Sequence, residues 1–541
     1  MKAYMEDRMS EIKLLDCTLR DGGYVNDWEF GHANLVSMLE RLISSGTEII
    51  EIGFLDERRP FDMNRSIMPD TESAGEIYGK VDKKNAMILG MIDYGTCGIE
   101  HLQPCCESYL DGIRVIFKKH LMKEAMAFCA QVKALGYKVF SQLVSITSYS
   151  DEELMELIGL VNEVKPYAVS IVDTYGLLHQ EGLLHYFSLL NEHVLPQVGI
   201  GYHSHNNFQL AYANCIEYLK AEKKHDIVVD ATLYGMGKSA GNAPIELVAM
   251  HLNSNYGKKY DISQMLEAID GNIMQIYKKS PWGYNLFFYL SASNNCHPNY
   301  VQFLMDKHTL SMKSINEILD SIEEEKKLLY DRAHIEKLYY EYQRKECDDD
   351  DDMKRLAEAL KGREILLIGP GKNIQAQESR TSSYIAEKNP VVIATNYIPG
   401  AFQVDYVFLS NTRRYIRLTD ALTEYKNKNV KIIATSNVTN VNGTFEYTLN
   451  NSHLLDYDAD IIDNSFVMLL KALLRAGVCS VACAGFDGYS ENGGNYFNEQ
   501  MEYWFARRKA EELNNYVKQY LRSVEGRMKV SFITDSVYCE Q

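Results

Sequence analysis

Residues Ile12-Lys13-Leu14-Leu15-Asp16-Cys17-Thr18-Leu19-Arg20-Asp21-Gly22-Gly23 open with a short apolar run and close on an acid, an Arg–Asp pair and two glycines. The run reads as a buried strand spanning 12–19 with ionic groups at its C-terminal end. Seven similar runs follow, at 49–54, 86–92, 113–117, 137–144, 168–172, 198–202 and 227–233, several of them rich in Ile and Val. Amphipathic stretches at helical spacing lie between them, for example 34–44 and 151–164. Repeated strand–helix units predict a parallel sheet. Eight of them within one domain's length fit a closed (β/α)₈ barrel better than an open sheet.

Further along, residues 254–346 read as mostly helical, with 312–343 dense in Glu, Lys, Leu and Tyr. Five consecutive acids at 348–352 repel one another and read as a solvated linker. A second α/β pattern then begins, with buried strands at 365–368, 391–395, 406–409, 431–435 and 478–482. The expected organisation is a barrel over 10–280, a helical extension with an acidic linker over 281–353, and a Rossmann-like α/β domain over 354–541.

The 541 residues are too many for one ordinary core. With 46% hydrophobic and 24% charged residues the balance is that of a globular protein. A net charge of −18 repels nucleic-acid backbones and anionic membranes, so neither is an expected partner. No apolar run reaches membrane-span length and the N-terminal residues carry no apolar signal core, which points to the cytoplasm. Eleven cysteines without a CxxC pair read as small buried residues rather than as disulfides or a zinc site.

The seventh run ends in His203-Ser204-His205-Asn206-Asn207. Residues two apart on a strand point the same way, so both imidazoles can face one metal. With Asp21 from the first run they make two histidines and one carboxylate, a set that leaves coordination positions open for substrate and water. The eighth run leads into Gly235-Met236-Gly237-Lys238-Ser239-Ala240-Gly241-Asn242, where glycines allow close backbone approach and Asn242 offers a further oxygen ligand or a substrate contact.

Taken together, residues 16–23, 49–53 (IIEIG), 173–176 (DTYG), 203–206 and 235–242 resemble the DRE-TIM metallolyases, the HMGL-like or pyruvate carboxyltransferase family. This family includes 4-hydroxy-2-oxovalerate aldolase, to which the chain is most similar, hydroxymethylglutaryl-CoA lyase and the isopropylmalate, homocitrate and citramalate synthases. The resemblance implies Asp21, His203 and His205 as metal ligands with Asn242 nearby, Arg20 as the group stabilising enolate charge, and Glu51 as a supporting acid. It implies a carbon–carbon lyase that cleaves or forms a 4-hydroxy-2-oxo acid through a metal-bound pyruvate enolate, with a 2-oxo acid and an aldehyde as partners. Mixed imidazole and carboxylate ligation suits Mn²⁺, with Mg²⁺, Co²⁺ and Zn²⁺ as alternatives. A homo-oligomer is expected.

The chain departs from that family in one place. The aldolases carry a histidine three residues after the metal aspartate, where this chain has Tyr24, a poor base unless its pKa is lowered. Residues 283–289 are similar to the aldolase segment beyond the barrel that supplies a tyrosine, which makes Tyr284 a candidate. The cysteine loop of the hydroxymethylglutaryl-CoA lyases is missing before Asn242. Asp173 and Thr174 read equally as capping groups and as substrate contacts. A Claisen-type synthase joining an acyl-CoA to a 2-oxo acid is the alternative activity.

In the second domain, 365–371 (ILLIGPG) is a strand running into a Gly-rich turn, which can cradle phosphate on backbone N–H groups. With 395–398 (TNYI), 410–415 (SNTRRY), 464–477 and 485–489 (GFDGY), it resembles Rossmann-like domains of bacterial sialyltransferases and motility-accessory proteins. That resemblance implies a nucleotide or nucleotide-sugar ligand, bound or transferred, with Gly369, Gly371, Asn396, Arg413 and Asp487 as contacts.

Overall fold

The computed structural model describes residues 10–307, 310–418, 429–439, 445–459 and 461–539, the side chains of Gln500 and Trp504 excepted. The segment 1–9, read above for targeting signals, lies outside them. The chain divides into two compact units, Met1–Pro298 and Asn299–Gln541.

The first unit is a closed parallel barrel, as the alternating pattern predicts. Its strands are β1 (Ile12–Asp16), β2 (Ile49–Leu55), the two-residue β3 (Ile67–Met68), β4 (Met87–Asp93), β5 (Gly112–Phe117), β6 (Lys138–Leu143), β7 (Ala168–Asp173), β8 (Gly199–Ser204) and β9 (Ile227–Ala231). The sheet runs β1-β9-β8-β7-β6-β5-β4-β2, with β3 added outside β2. Pairing of Leu15 with Ile49 joins β1 to β2 and closes the cylinder.

Alternation along the strands sorts the interior into layers. Leu15, Ile49, Leu89, Phe140, Ala168 and Val228 form an apolar cluster inside the barrel. Two residues further along their strands, on the same side, stand Glu51, Gln142, Ser170 and Asp230, and Arg114 joins them from β5. All five are buried. The much larger apolar cluster, including Leu14, Leu39, Ile50, Leu157 and Leu190, packs the outer faces of the strands against the helices.

β1 stops at Asp16, short of the 12–19 run expected. The Asp16 carboxylate accepts the Thr18 backbone N–H (2.9 Å) and hydroxyl (2.7 Å), which turns the chain into the helical turn Thr18–Asp21. β2 is bulged between Glu51 and Phe54, where a Cβ on Gly53 would come 1.8 Å from the Ser66 carbonyl oxygen.

The second unit holds, among its described residues, a parallel sheet of seven strands: β10 (Ile365–Ile368), β11 (Val391–Thr395), β12 (Tyr406–Leu409), β13 (Lys431–Thr435), β14 (Tyr447–Leu449), β15 (Ser480–Ala484) and β16 (Lys529–Phe532). Their order is β14-β13-β12-β11-β10-β15-β16. The chain winds outward from β10 in one direction, then returns to place β15 on its other side.

The helical stretch expected over 312–343 is three helices, Met312–Asp320, Glu324–Lys327 and Arg332–Gln343. Nor are the acids at 348–352 a solvated linker. Asp350–Asp352 form the first turn of the helix Asp350–Leu360, where negative charge complements the helix dipole. Asp349 is buried in a two-bond ion pair with Arg475 and accepts the Asn450 N–H (2.7 Å). Among the described residues no helix is long and apolar enough to cross a membrane.

Candidate metal centre

Three loops meet at the C-terminal mouth of the barrel. The first is the turn Thr18–Asp21, which delivers Arg20 and Asp21 inward, both buried. The second is the end of β8, which carries His203 and His205. Their rings stand edge to face with centroids 5.1 Å apart. The third is the loop after β9, pinned to the second where His205 pairs with Asn242 and the Asn206 N–H donates to Gly241 O (2.8 Å). Asp21, His203 and His205 each offer one ligand atom, all lying within 4.8 Å of one another.

Each imidazole is oriented by a hydrogen bond from Nδ1. That of His203 donates to Asp230 Oδ2 (3.0 Å), and that of His205 to Gly241 O (3.3 Å). Both Nε2 atoms are left as lone-pair donors, the tautomer a metal site requires. Burial pushes His205 down to about 3, so its ring is neutral. Burial acts against ionisation of Asp21, but the Arg20 guanidinium and the hydrogen bond from Asn242 override it and hold the carboxyl well below the usual range. Asn242 donates to Asp21 Oδ2 (2.6 Å), while its own buried Oδ1 has no partner.

A chain of buried charges supports these ligands. Arg20 donates from Nη1 to Asp21 Oδ1 (2.5 Å) and from Nε to Glu51 Oε2 (2.7 Å). Arg114 donates to the same Glu51 oxygen (3.2 Å), to Gln142 Oε1 (2.8 Å) and to Asp230 Oδ2. Three carboxylates face two guanidinium groups, so one negative charge is unmatched in a dry interior, and a bound cation would offset it. The orphaned Asn242 Oδ1, the two aimed Nε2 atoms and this charge excess together fit a divalent ion. Cys17 lies 3.9 Å from His203 Nδ1, but burial pushes its thiol well up, and Asp230 already orients that ring.

Arg20, Glu51, Asp21, His203, His205 and Asn242 are thus brought together. Tyr24 sits at the rim, 43% exposed, edge-on to Trp28 and Phe54, and burial of its ring end pushes its pKa up to about 12. Tyr284 is half exposed and packs edge-on against Tyr289, with no hydrogen bond to the cluster among the described residues. Asp173 accepts the N–H groups of Leu177 (2.8 Å) and Leu178 (3.1 Å), and Thr174 accepts that of Ser145 (2.8 Å). Both hold loops together.

Sequence reasoning passed over Arg114, Asp230 and Lys238. A signal was there for the first two: a charge in the middle of an apolar strand run must be paired inside the barrel.

In the second unit, a cavity of about 140 Å³ opens where the winding reverses, beyond the C-terminal ends of β10, β11 and β15. Such switch points are where open α/β sheets take ligands. Gly371, Asn396 and Asp487 line it, as does Arg414. The guanidinium of Arg414 lies 4.4 Å from the Tyr503 ring centroid. Arg413 instead donates to Leu310 O (3.1 Å). The N–H groups of Gly369 and Gly371 are spent on Ala484 O and Gly485 O (2.8 Å each) and do not cradle a phosphate. Both glycines serve close packing, since a Cβ on either would come within 2.5 Å of the β15 loop. Asp487 accepts the Asn373 N–H (2.8 Å) and staples the two loops together.

The HMGL-like family model matches residues 11–270. A 4-hydroxy-2-oxovalerate aldolase of Salinispora arenicola is 26% identical over 45% of this chain and 69% of its own. An oxaloacetate decarboxylase of Mycobacterium tuberculosis is 25% identical over 51% of this chain and 82% of its own. A 2-isopropylmalate synthase of Sulfolobus acidocaldarius is 24% identical over 47% of this chain and 64% of its own. Three reactions stand at nearly one level of identity, each over about half of this chain, so identity alone does not choose among them. The family does follow: residues 11–270, the barrel with its buried carboxylate and paired imidazoles, are an HMGL-like domain.

Proposed function

We propose that the barrel is a divalent-metal-dependent aldolase that cleaves or forms the carbon–carbon bond of a 4-hydroxy-2-oxo acid by way of a pyruvate enolate. The observation that carries this reading is the juxtaposition of Asp21, His203 and His205 with a buried arginine whose Nη2 makes no hydrogen bond among the described residues. Asp21, His203 and His205 would hold the ion, with Asn242 Oδ1 beside them, and Mn²⁺ suits that donor set. A divalent ion bound there supplies Lewis acidity toward a 2-oxo acid carbonyl.

The protein's own groups do the rest. Glu51 and Asp21 fix the Arg20 guanidinium through two of its nitrogens and leave the third to face developing negative charge. A donor already in place needs no reorganisation when that charge appears, which makes such electrostatic stabilisation a large term in catalysis. With its pKa raised, Tyr24 stays protonated at neutral pH, so its role is to donate a proton or position substrate rather than to act as base.

The test is a screen of 2-oxo acids and 4-hydroxy-2-oxo acids with the Mn²⁺-loaded full chain. Pyruvate release without coenzyme A is the expected result. Free thiol released from acetyl-CoA in the presence of a 2-oxo acid would identify the Claisen-type synthase instead. No turnover of either class, with metal bound, would reject both.

A second reading concerns the Asn299–Gln541 unit, favoured by its switch-point cavity. There a nucleotide or nucleotide-sugar would meet Arg414 and the aromatic walls rather than the Gly369–Gly371 turn. Saturable binding of a nucleotide that Arg414→Ala weakens would support it, and no binding of any common nucleotide would reject it.

A further inference from the structure

The arginines near the mouth have counter-ions. Arg20 is paired with Asp21 and Glu51, Arg114 with Glu51 and Asp230, and Arg58 with Asp56. Lys238 is different. Among the described residues no carboxylate oxygen comes within 4.0 Å of its ammonium group. Yet the residue is held in place, because its backbone N–H donates to Asp21 Oδ2 (3.1 Å). Its side chain crosses the Tyr24 ring, with Nζ 5.4 Å from the centroid.

The backbone contact with Asp21 and the place of Nζ over the Tyr24 ring put this cation at the rim beside the metal ligands. The residue is half-buried. A cation drawn partly out of water without a partner weakens a fold unless something else meets it. On a chain of net charge −18, a cation held at this mouth without a carboxylate partner marks a place for an anion.

We propose that Lys238 sets the substrate class of this site, binding a second carboxylate on the 2-oxo acid, so that the preferred substrate is a dicarboxylate. One ammonium matches the single charge of an added carboxylate better than the two charges of a phosphate. The inference rests on the metal-centre reading above, and its test separates the two.

Binding of 2-oxopentanoate and 2-oxoglutarate, which share a carbon skeleton and differ in one terminal carboxylate, is measured by calorimetry on the Mn²⁺-loaded full chain. A charge-assisted contact is worth on the order of tenfold or more in affinity. The wild type is therefore expected to favour 2-oxoglutarate by at least about tenfold. Lys238→Met should bring the ratio near one, and Lys238→Arg should keep most of it. Circular dichroism and elemental analysis check that each variant is folded and metal-loaded. Equal binding of both acids by the wild type overturns the proposal, as does a preference that survives in Lys238→Met, or no binding of either acid to protein that retains Mn²⁺. A wild type that retains no Mn²⁺ sinks the metal-centre reading and this one with it.

Discussion

Asp230 shows how much rests on one side chain here. Its Oδ2 accepts from both His203 Nδ1 and Arg114, so it orients a metal-facing imidazole and neutralises a fully buried guanidinium. Replacing it by Asn keeps the shape and removes the charge. Breaking a buried ion pair from one side costs about 3–5 kcal/mol, and loss of the acid behind a ligating histidine weakens metal binding by about ten to a hundredfold. Asp230→Asn is expected to show both effects, in urea denaturation and in a chelator competition for Mn²⁺. Unchanged metal affinity would mean that His203 does not ligate through the nitrogen opposite Asp230. At this scale the mouth was readable because Asp21, His203 and His205 stand in compact motifs with characteristic spacing. Arg114 and Asp230 sit 116 residues apart and meet only across the barrel interior, a contact that no local pattern encodes. Lys238 was hidden differently: its identity was plain, but the absence of a counter-ion is visible only in three dimensions.

At the level of elements, the loop Gly235–Asn242 works as a clamp on the first βα turn. A Cβ on Gly237 would come 2.2 Å from Asn242 Nδ2 and 2.5 Å from Asp21 Oδ2, so these two groups close over the glycine. Gly237→Ala must push one of them aside. Overpacking of this kind costs about 1–3 kcal/mol, and the displaced group belongs to the proposed centre, so Mn²⁺ affinity is expected to fall by at least about tenfold, a loss worth about 1.4 kcal/mol. Ser150→Ala provides the contrast. It removes one arm of the capping box that starts the helix Asp151–Val164 and should cost about 1 kcal/mol with no effect on metal. Equal metal affinity in the two variants would refute the clamp. Elements were legible where burial was two-sided: the barrel runs and β10 to β13 are mostly apolar and stand out. β16 was not, since its Lys529-Val530-Ser531-Phe532 alternates exposed and half-buried residues at the end of the sheet order, and the three-residue β14 is too short for any period. The 312–343 stretch read as continuous because its breaks are only three and four residues long, at 321–323 and 328–331, the second ending where Asp331 caps His334 N (3.1 Å), and helical spacing alone does not show a cap.

For the whole molecule, the two units each carry their own buried core, one around the barrel sheet and one around β10 to β15. A ligand that binds only the native form stabilises the unit it occupies by about 2.7 kcal/mol at a hundred times its dissociation constant. Thermal unfolding of the full chain is therefore expected to resolve into two transitions, and Mn²⁺ should raise only the one belonging to Met1–Pro298. Chelation should reverse that shift, and Asp21→Asn should abolish it while leaving the other transition in place. Calorimetry with and without Mn²⁺ reads the result directly, and limited proteolysis during the scan assigns each transition to its unit. A shift confined to the Asn299–Gln541 unit, or one that Asp21→Asn retains, would place the ion elsewhere and detach the oxo-acid chemistry from the barrel mouth. The expected direction follows from charge: the centre buries one carboxylate more than it has guanidinium groups to match, so removing the cation leaves that excess uncompensated in the middle of the larger core.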